Sequence, residues 1–119
     1  MAVRTAVETS VSTHLDKAQL IVWSGLLNGD TGSPVKFPAS AFKSIQFNGT
    51  FGAGGTIVLQ GSNDGTNYFS LTDLQGNAIS KTAAALESIE EICLWIRPSV
   101  TAGDGTTALI ATLLVRREL

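Results

Sequence analysis

Ser44-Ile45-Gln46-Phe47-Asn48-Gly49-Thr50-Phe51, Gly52-Ala53-Gly54-Gly55, Thr56-Ile57-Val58-Leu59-Gln60, Gly61-Ser62-Asn63-Asp64-Gly65-Thr66-Asn67 and Tyr68-Phe69-Ser70-Leu71-Thr72 follow one another without interruption. In the first run Ile45 and Phe47 share one side of an extended chain, with Gln46 and Asn48 on the other. Period-two alternation between clusters of Gly, Asn and Asp predicts strand, turn, strand, turn, strand, an antiparallel meander. Asp64-Gly65 suits a tight hairpin, because Asp tolerates positive φ and Gly has no side chain to clash. No part of this unit offers a catalytic group, which points to a structural or binding module.

The flanks read the same way. From Ala2 to Thr13, Val3, Val7 and Val11 alternate onto one face with threonines. The valines also fit helical spacing, but β-branched residues lose χ1 freedom in helices, so a strand is expected. Such a strand pairs with its own sheet or with a neighbouring subunit. Ala18–Leu27 is nearly continuously apolar, as in a strand covered on both sides. Asn28–Pro34 is a long turn, and Val35–Pro38 a short edge strand between prolines. Ala78–Thr82 reads as a short strand. Over Ala83–Ile92 helix competes, since Leu86, Ile89 and Cys93 fit one helical face, although Glu87 and Glu91 repel one turn apart. Cys93–Arg97 is a strand that Pro98 stops. In the last run, Thr106–Arg117, Leu109, Ala111, Leu113 and Val115 alternate with Ala108, Ile110, Thr112 and Leu114, so cover is expected on both faces. About eight strands with short turns predict an all-β, antiparallel two-sheet sandwich of jelly-roll or Greek-key type. At most one short helix is expected, near 83–92. Residues 1–17 form an N-terminal strand or arm and 18–119 the sandwich domain.

Composition narrows the function. The 119 residues fit one domain, 44% hydrophobic, 15% charged, with 12 glycines. The formal net charge is −2 and no basic stripe is present, so nucleic-acid binding is not expected. No apolar run spans a membrane and the N-terminus lacks a secretory core. The single cysteine, Cys93, forms no internal disulfide, which suits synthesis in a reducing cytoplasm.

Isolated chemical groups do not assemble into a catalytic pattern. His14, the one histidine, lies near Ser10, Ser12 and Asp16, but no nucleophile elbow accompanies them. Cys93 has apolar neighbours and reads as an inert thiol. Gly49–Gly55 is neither a dinucleotide fingerprint nor a phosphate loop. Asn63–Asn67 carries one carboxylate, too few for a calcium loop. Asn48-Gly49-Thr50 matches a glycosylation acceptor and, without a secretory signal, reads as a turn. Trp23, Trp95, Tyr68 and Phe69 are the aromatic side chains for a sugar-stacking platform. Tyr68 and Phe69 alternate, so at most one is exposed, and Trp95 fits core or interface. Neither an enzyme nor a cofactor is expected.

Gly61-Ser62-Asn63-Asp64-Gly65-Thr66-Asn67-Tyr68, followed by Leu71, resembles a β-hairpin of small virion proteins of tailed bacteriophages. Trp23–Pro34 looks like a loop of such proteins, and Arg97-Pro98 followed by Gly103-Asp104-Gly105 is similar too. The resemblance covers roughly residues 23–105. It implies a capsid decoration (cement) protein, made in the host cytoplasm and carried on the capsid surface. The expected partner is the major capsid protein, with the chain a homo-oligomer, most often a trimer. Val3, Val7, Val11, Trp95 and Tyr68 are then interface residues, the N-terminal strand acting by strand addition. The turn sequence also occurs in carbohydrate-binding sandwiches, where tryptophan is common in place of Tyr68. A phage fibre or tail module that binds glycans is therefore the alternative.

Overall fold

The alternation sorts the chain into twelve strands in a computed structural model that describes residues 2–11, 18–36 and 40–117. They are β1 (Val3–Arg4), β2 (Val7–Ser10), β3 (Ala18–Leu26), β4 (Thr31–Gly32), β5 (Val35–Lys36) and β6 (Ser40–Thr50). After these come β7 (Thr56–Ser62), β8 (Phe69–Ser70), β9 (Ser80–Lys81), β10 (Ala85–Ser88), β11 (Trp95–Ala102) and β12 (Ala108–Arg117). A seven-stranded sheet runs β1-β4-β11-β7-β8, with β5 also on β11 and β9 also on β7. A five-stranded sheet runs β10-β6-β12-β3-β2. The two pack as a β-sandwich around the inward residues, among them Trp23, Phe47, Ile57, Leu59, Ile96, Leu109 and Leu113. Trp23 is wholly buried, and its indole N–H donates to the Ser33 carbonyl at 2.9 Å, which satisfies its one polar atom.

Several sequence expectations change, while the allowance of at most one short helix near 83–92 is met by none among the described residues. The stretch 44–72 is not one meander. β6 and β7 belong to different sheets, so Phe51–Gly55 arches from one sheet to the other, and only β7 and β8 pair as neighbours. The chain also crosses between sheets at residues 27–30 and 103–107. Asp104 ties two arches by accepting from the Ala53 amide at 2.9 Å, and Thr107 Oγ1 donates to the Phe51 carbonyl at 2.7 Å. Asn28 Nδ2 donates to the Gly103 carbonyl at 3.2 Å, bringing in the third arch. Gly52 has φ +72° and faces the Asp104 carboxylate and two threonine hydroxyls, leaving no room for a Cβ.

No helix forms among the described residues. Within 83–92, Ala85–Ser88 is instead the edge strand β10, registered on β6 with Glu87 opposite Ile45. Extension separates Glu87 from Glu91 and puts Glu87 2.6 Å from Lys81 Nζ. Pro98 does not stop its strand. It sits inside β11, opposite Leu59, where the partners on the other side break between β4 and β5, so its missing N–H removes no ladder bond there.

The N-terminal alternation is divided as well. β1 pairs in parallel with β4 in one sheet, and β2 pairs antiparallel with β3 in the other. Residues 2–11 thus strap both sheets, and Ala6 packs on the core.

Candidate functional site

β7 and β11 are central strands, so their outward side chains form the middle of one exposed face. Register places Arg97 opposite Gln60 and Trp95 opposite Ser62 and Lys36. Arg97 Nε donates to Gln60 Oε1 at 2.9 Å, and its guanidinium lies 3.8 Å from the Tyr68 ring centroid. Lys36 Nζ lies 5.5 Å from the Trp95 ring centroid. Gly65 leans on the same indole, where an added Cβ would be 3.1 Å from Nε1. Trp95 and Tyr68, the two aromatic interface candidates, are therefore half-buried, each paired with a cation of the chain itself.

The turn Ser62–Asn67 closes on itself. Asp64 Oδ1 accepts from Ser62 Oγ and from the amides of Thr66 and Asn67, each at 2.8 Å, while Oδ2 accepts from Asn67 Nδ2. The Asn67 and Thr66 amides, with the two side-chain donors, hold the Asp64 carboxyl far below the usual carboxylate range. Such saturation leaves it little capacity for a cation. No group of three or more His, Cys, Asp or Glu among the described residues is arranged to hold a metal.

Beside this turn lies a cleft of about 410 Å³, with Gly61, Leu71 and Cys93 among its walls and Phe69 and Ile92 on its lining. Each of the last two is 70% exposed. The polar groups around it serve the scaffold. Glu91 accepts from the Thr72 amide at 2.8 Å and hydroxyl at 2.6 Å, and Asn63 Oδ1 accepts from the Leu94 amide. Burial raises the Glu91 carboxyl, yet the Thr72 bonds outweigh it and its pKa lies below the ordinary range. Cys93 donates its S–H to the Trp95 carbonyl at 3.4 Å. Burial pushes the thiol up, and the charge of Lys43 offsets this only in part, so the thiolate is scarce at neutral pH. The cleft thus offers apolar contact from Phe69 and Ile92 and no activated nucleophile.

Of the remaining sequence candidates, Val3 and Val7 are 66% and 61% exposed on the edges of different sheets, and Val11 is 41% exposed beyond β2. They do not form one continuous stripe. His14, Ser12 and Asp16 lie outside the described residues. The sequence reading named Phe69 only for a sugar-stacking platform and left Ile92 unassigned. Tyr68 lies on the outward side with Arg97, while Phe69, on the side of Gly61 and Leu71, is exposed at the edge of the sheet. Ile92 carried no signal once it was placed in a possible helix.

No protein-family model matches the chain, and no curated protein is a significant match. Two solved structures are similar. The cysteine peptidase Peruvianin-I from Thevetia peruviana latex shares 15% identity at a TM-score of 0.43, over 95% of this chain and 63% of its own length. The carbohydrate-binding module CBM6cm-2 from Cellvibrio mixtus lichenase 5A, solved with cellotriose, shares 13% identity at a TM-score of 0.33, over 96% and 87%. This chain therefore spans less than two-thirds of the peptidase, and at these TM-scores neither likeness bears on activity or ligand.

Proposed function

We propose that the chain is a non-enzymatic virion protein of a tailed bacteriophage. It is a capsid decoration (cement) protein that binds the major capsid protein on the outside of the head as a homo-oligomer. The observation that carries this reading is the distribution of exposed apolar side chains. Phe69 and Ile92 line one cleft, Phe42, Leu74 and Leu114 line a second of about 410 Å³, and Val3 and Val7 occupy two sheet edges. Several separate contact points suit a plug that touches more than one neighbour, and symmetric repetition turns weak contacts into avidity. The resembling segments support it: Trp23–Pro34 and Arg97–Gly105 contribute arches joined by Asn28 and Gly103. The test is co-expression with the major capsid protein of the same genome, sedimentation of the particles, and quantitative mass spectrometry. A copy number in simple ratio to the capsid protein supports the cement role. Complete absence from particles that assemble normally overturns it.

The alternative, a fibre or tail module that binds glycans, has one observation in its favour: the exposed Phe69 ring lines a cleft beside Asn63, Asp64 and Asn67. Saturable glycan binding lost in Phe69→Ala, with the fold retained, supports that reading. A glycan array with no binding removes it.

A further inference from the structure

β3 and β12 are the two strands whose sequences read as covered on both sides, and they lie next to each other. Inward, Ile21, Trp23, Leu109, Ala111, Leu113 and Val115 are buried. Outward, Leu20, Val22, Ile110 and Thr112 are half-buried within the sheet and Leu114 is 38% exposed, with Leu74 and Glu90 at the margin of the cleft that Leu114 lines. Register lines up Val7, Val22, Thr112, Gln46 and Leu86 in one row across all five strands. Leu20 and Leu114 stand together in the next row, and Phe42 beside Arg116 in the one beyond. Val7, Phe42 and Leu86 are 61%, 56% and 65% exposed. Among the described residues, Arg116 is the one charged side chain that register places on the strands of this face, and Glu90 of opposite charge lines the cleft beside it.

We propose that this face is the contact between two copies of the chain, packed sheet against sheet with strands antiparallel between copies. Five strands at about 4.8 Å spacing and about 25 Å of strand length give a projected face on the order of 600 Å². With side-chain relief this is comparable to the roughly 800 Å² per partner of a standard stable interface. Charge selects the occupant. A strongly charged partner surface would be desolvated against a sheet that offers it little compensation, whereas a second copy brings the same nearly uncharged face. Antiparallel alignment on an axis between Thr112 and Leu114 also separates the two Arg116 side chains by about 20 Å, beyond the screening length. Each Arg116 then lies near Asn48 of the second copy, an amide acceptor for its guanidinium. Such an isologous contact closes at two, not at the three that the virion resemblance implies. The inference stands apart from the capsid reading, because it needs no capsid to be tested.

Analytical ultracentrifugation of the full chain at about 100 µM is the test, a concentration above the weakest affinities of standard-size interfaces. The expected mass is twice 12.4 kDa. Thr112 faces Leu114 across the axis, so Thr112→Lys and Leu114→Asp each weaken association by at least tenfold while circular dichroism stays unchanged. The double variant T112K/L114D pairs Lys with Asp across the axis and recovers the dimer. A mass of 12.4 kDa or of three chains, or a dimer indifferent to Thr112→Lys, overturns the proposal. A double variant as dissociated as the single ones overturns the antiparallel alignment.

Discussion

Arg4 Nε donates to Asp30 Oδ2 at 2.8 Å, and through this pair the N-terminal strap is bound to the arch between β3 and β4. Asp30 is 3% exposed and also accepts from the Ala2 and Leu27 amides. Burial alone would raise its carboxyl. The bonds from Leu27, Arg4 and Ala2 together outweigh it, and the pKa is lowered. Asp30→Ala leaves buried donors without an acceptor and is expected to cost about 2–4 kcal/mol in urea unfolding. Arg4→Ala removes a half-exposed partner and costs about 1 kcal/mol. The double variant should cost little more than Asp30→Ala, since both changes remove one interaction. Full additivity would show that the strap is held elsewhere.

Asp104 predicts the acid limb of stability. Thr106 and the Ala53 amide hold its carboxyl down to about 2, against an ordinary 3.8. A pKa lower in the folded state contributes stability that is complete above the ordinary value and is lost as pH falls toward about 2. Asp30, Asp64 and Glu91 are shifted in the same direction. The urea midpoint should therefore be level near neutrality and fall below pH 3.8, toward about 2. Asp104→Asn should have a lower midpoint at neutral pH and a shallower acid decline. An unchanged decline would remove Asp104 from the account.

Alternation in the sequence carried the sandwich because burial follows register: Leu109, Ala111, Leu113 and Val115 are all inward, as their spacing demands. Which strands pair was not legible. The same Gly-rich turn serves a hairpin or an arch, and Gly52–Gly55 became an arch because Asp104, about fifty residues away, anchors it. Leu86 and Ile89 fit helical spacing, yet the open edge of β6 supplied hydrogen bonds that the local propensity could not foresee. Trp95, which the sequence left open between core and interface, and Tyr68 are half-buried on the outward side of their sheet. Their cationic partners Lys36 and Arg97 were not legible, since the pairs form across strands.

Gly61 sits where the cleft wall leaves no volume. A Cβ there would stand 2.6 Å from Cys93 Sγ and 2.7 Å from Leu71 Cδ2. Gly61→Ala should cost about 1–3 kcal/mol by overpacking. Adding Cys93→Ala frees part of the space and should return part of that loss, read as a coupling in a double-mutant cycle. Strictly additive losses would mean that Leu71, not Cys93, takes the strain.

Phe69 and Ile92 separate docking from folding. Each is 70% exposed, so Phe69→Ser and Ile92→Ser should each change stability by no more than about 0.5 kcal/mol. If the cleft meets the capsid, burying either side chain there is worth about 1.5 kcal/mol or more, roughly tenfold in affinity. The double variant should then lose about a hundredfold in particle association, measured by co-sedimentation over a concentration series. Its solution mass should stay that of the wild type, because the face formed by β3 and β12 lies on the other sheet. Undiminished particle binding by a folded double variant would remove the cleft from the capsid contact. Loss of self-association instead would place the contact between copies at the cleft.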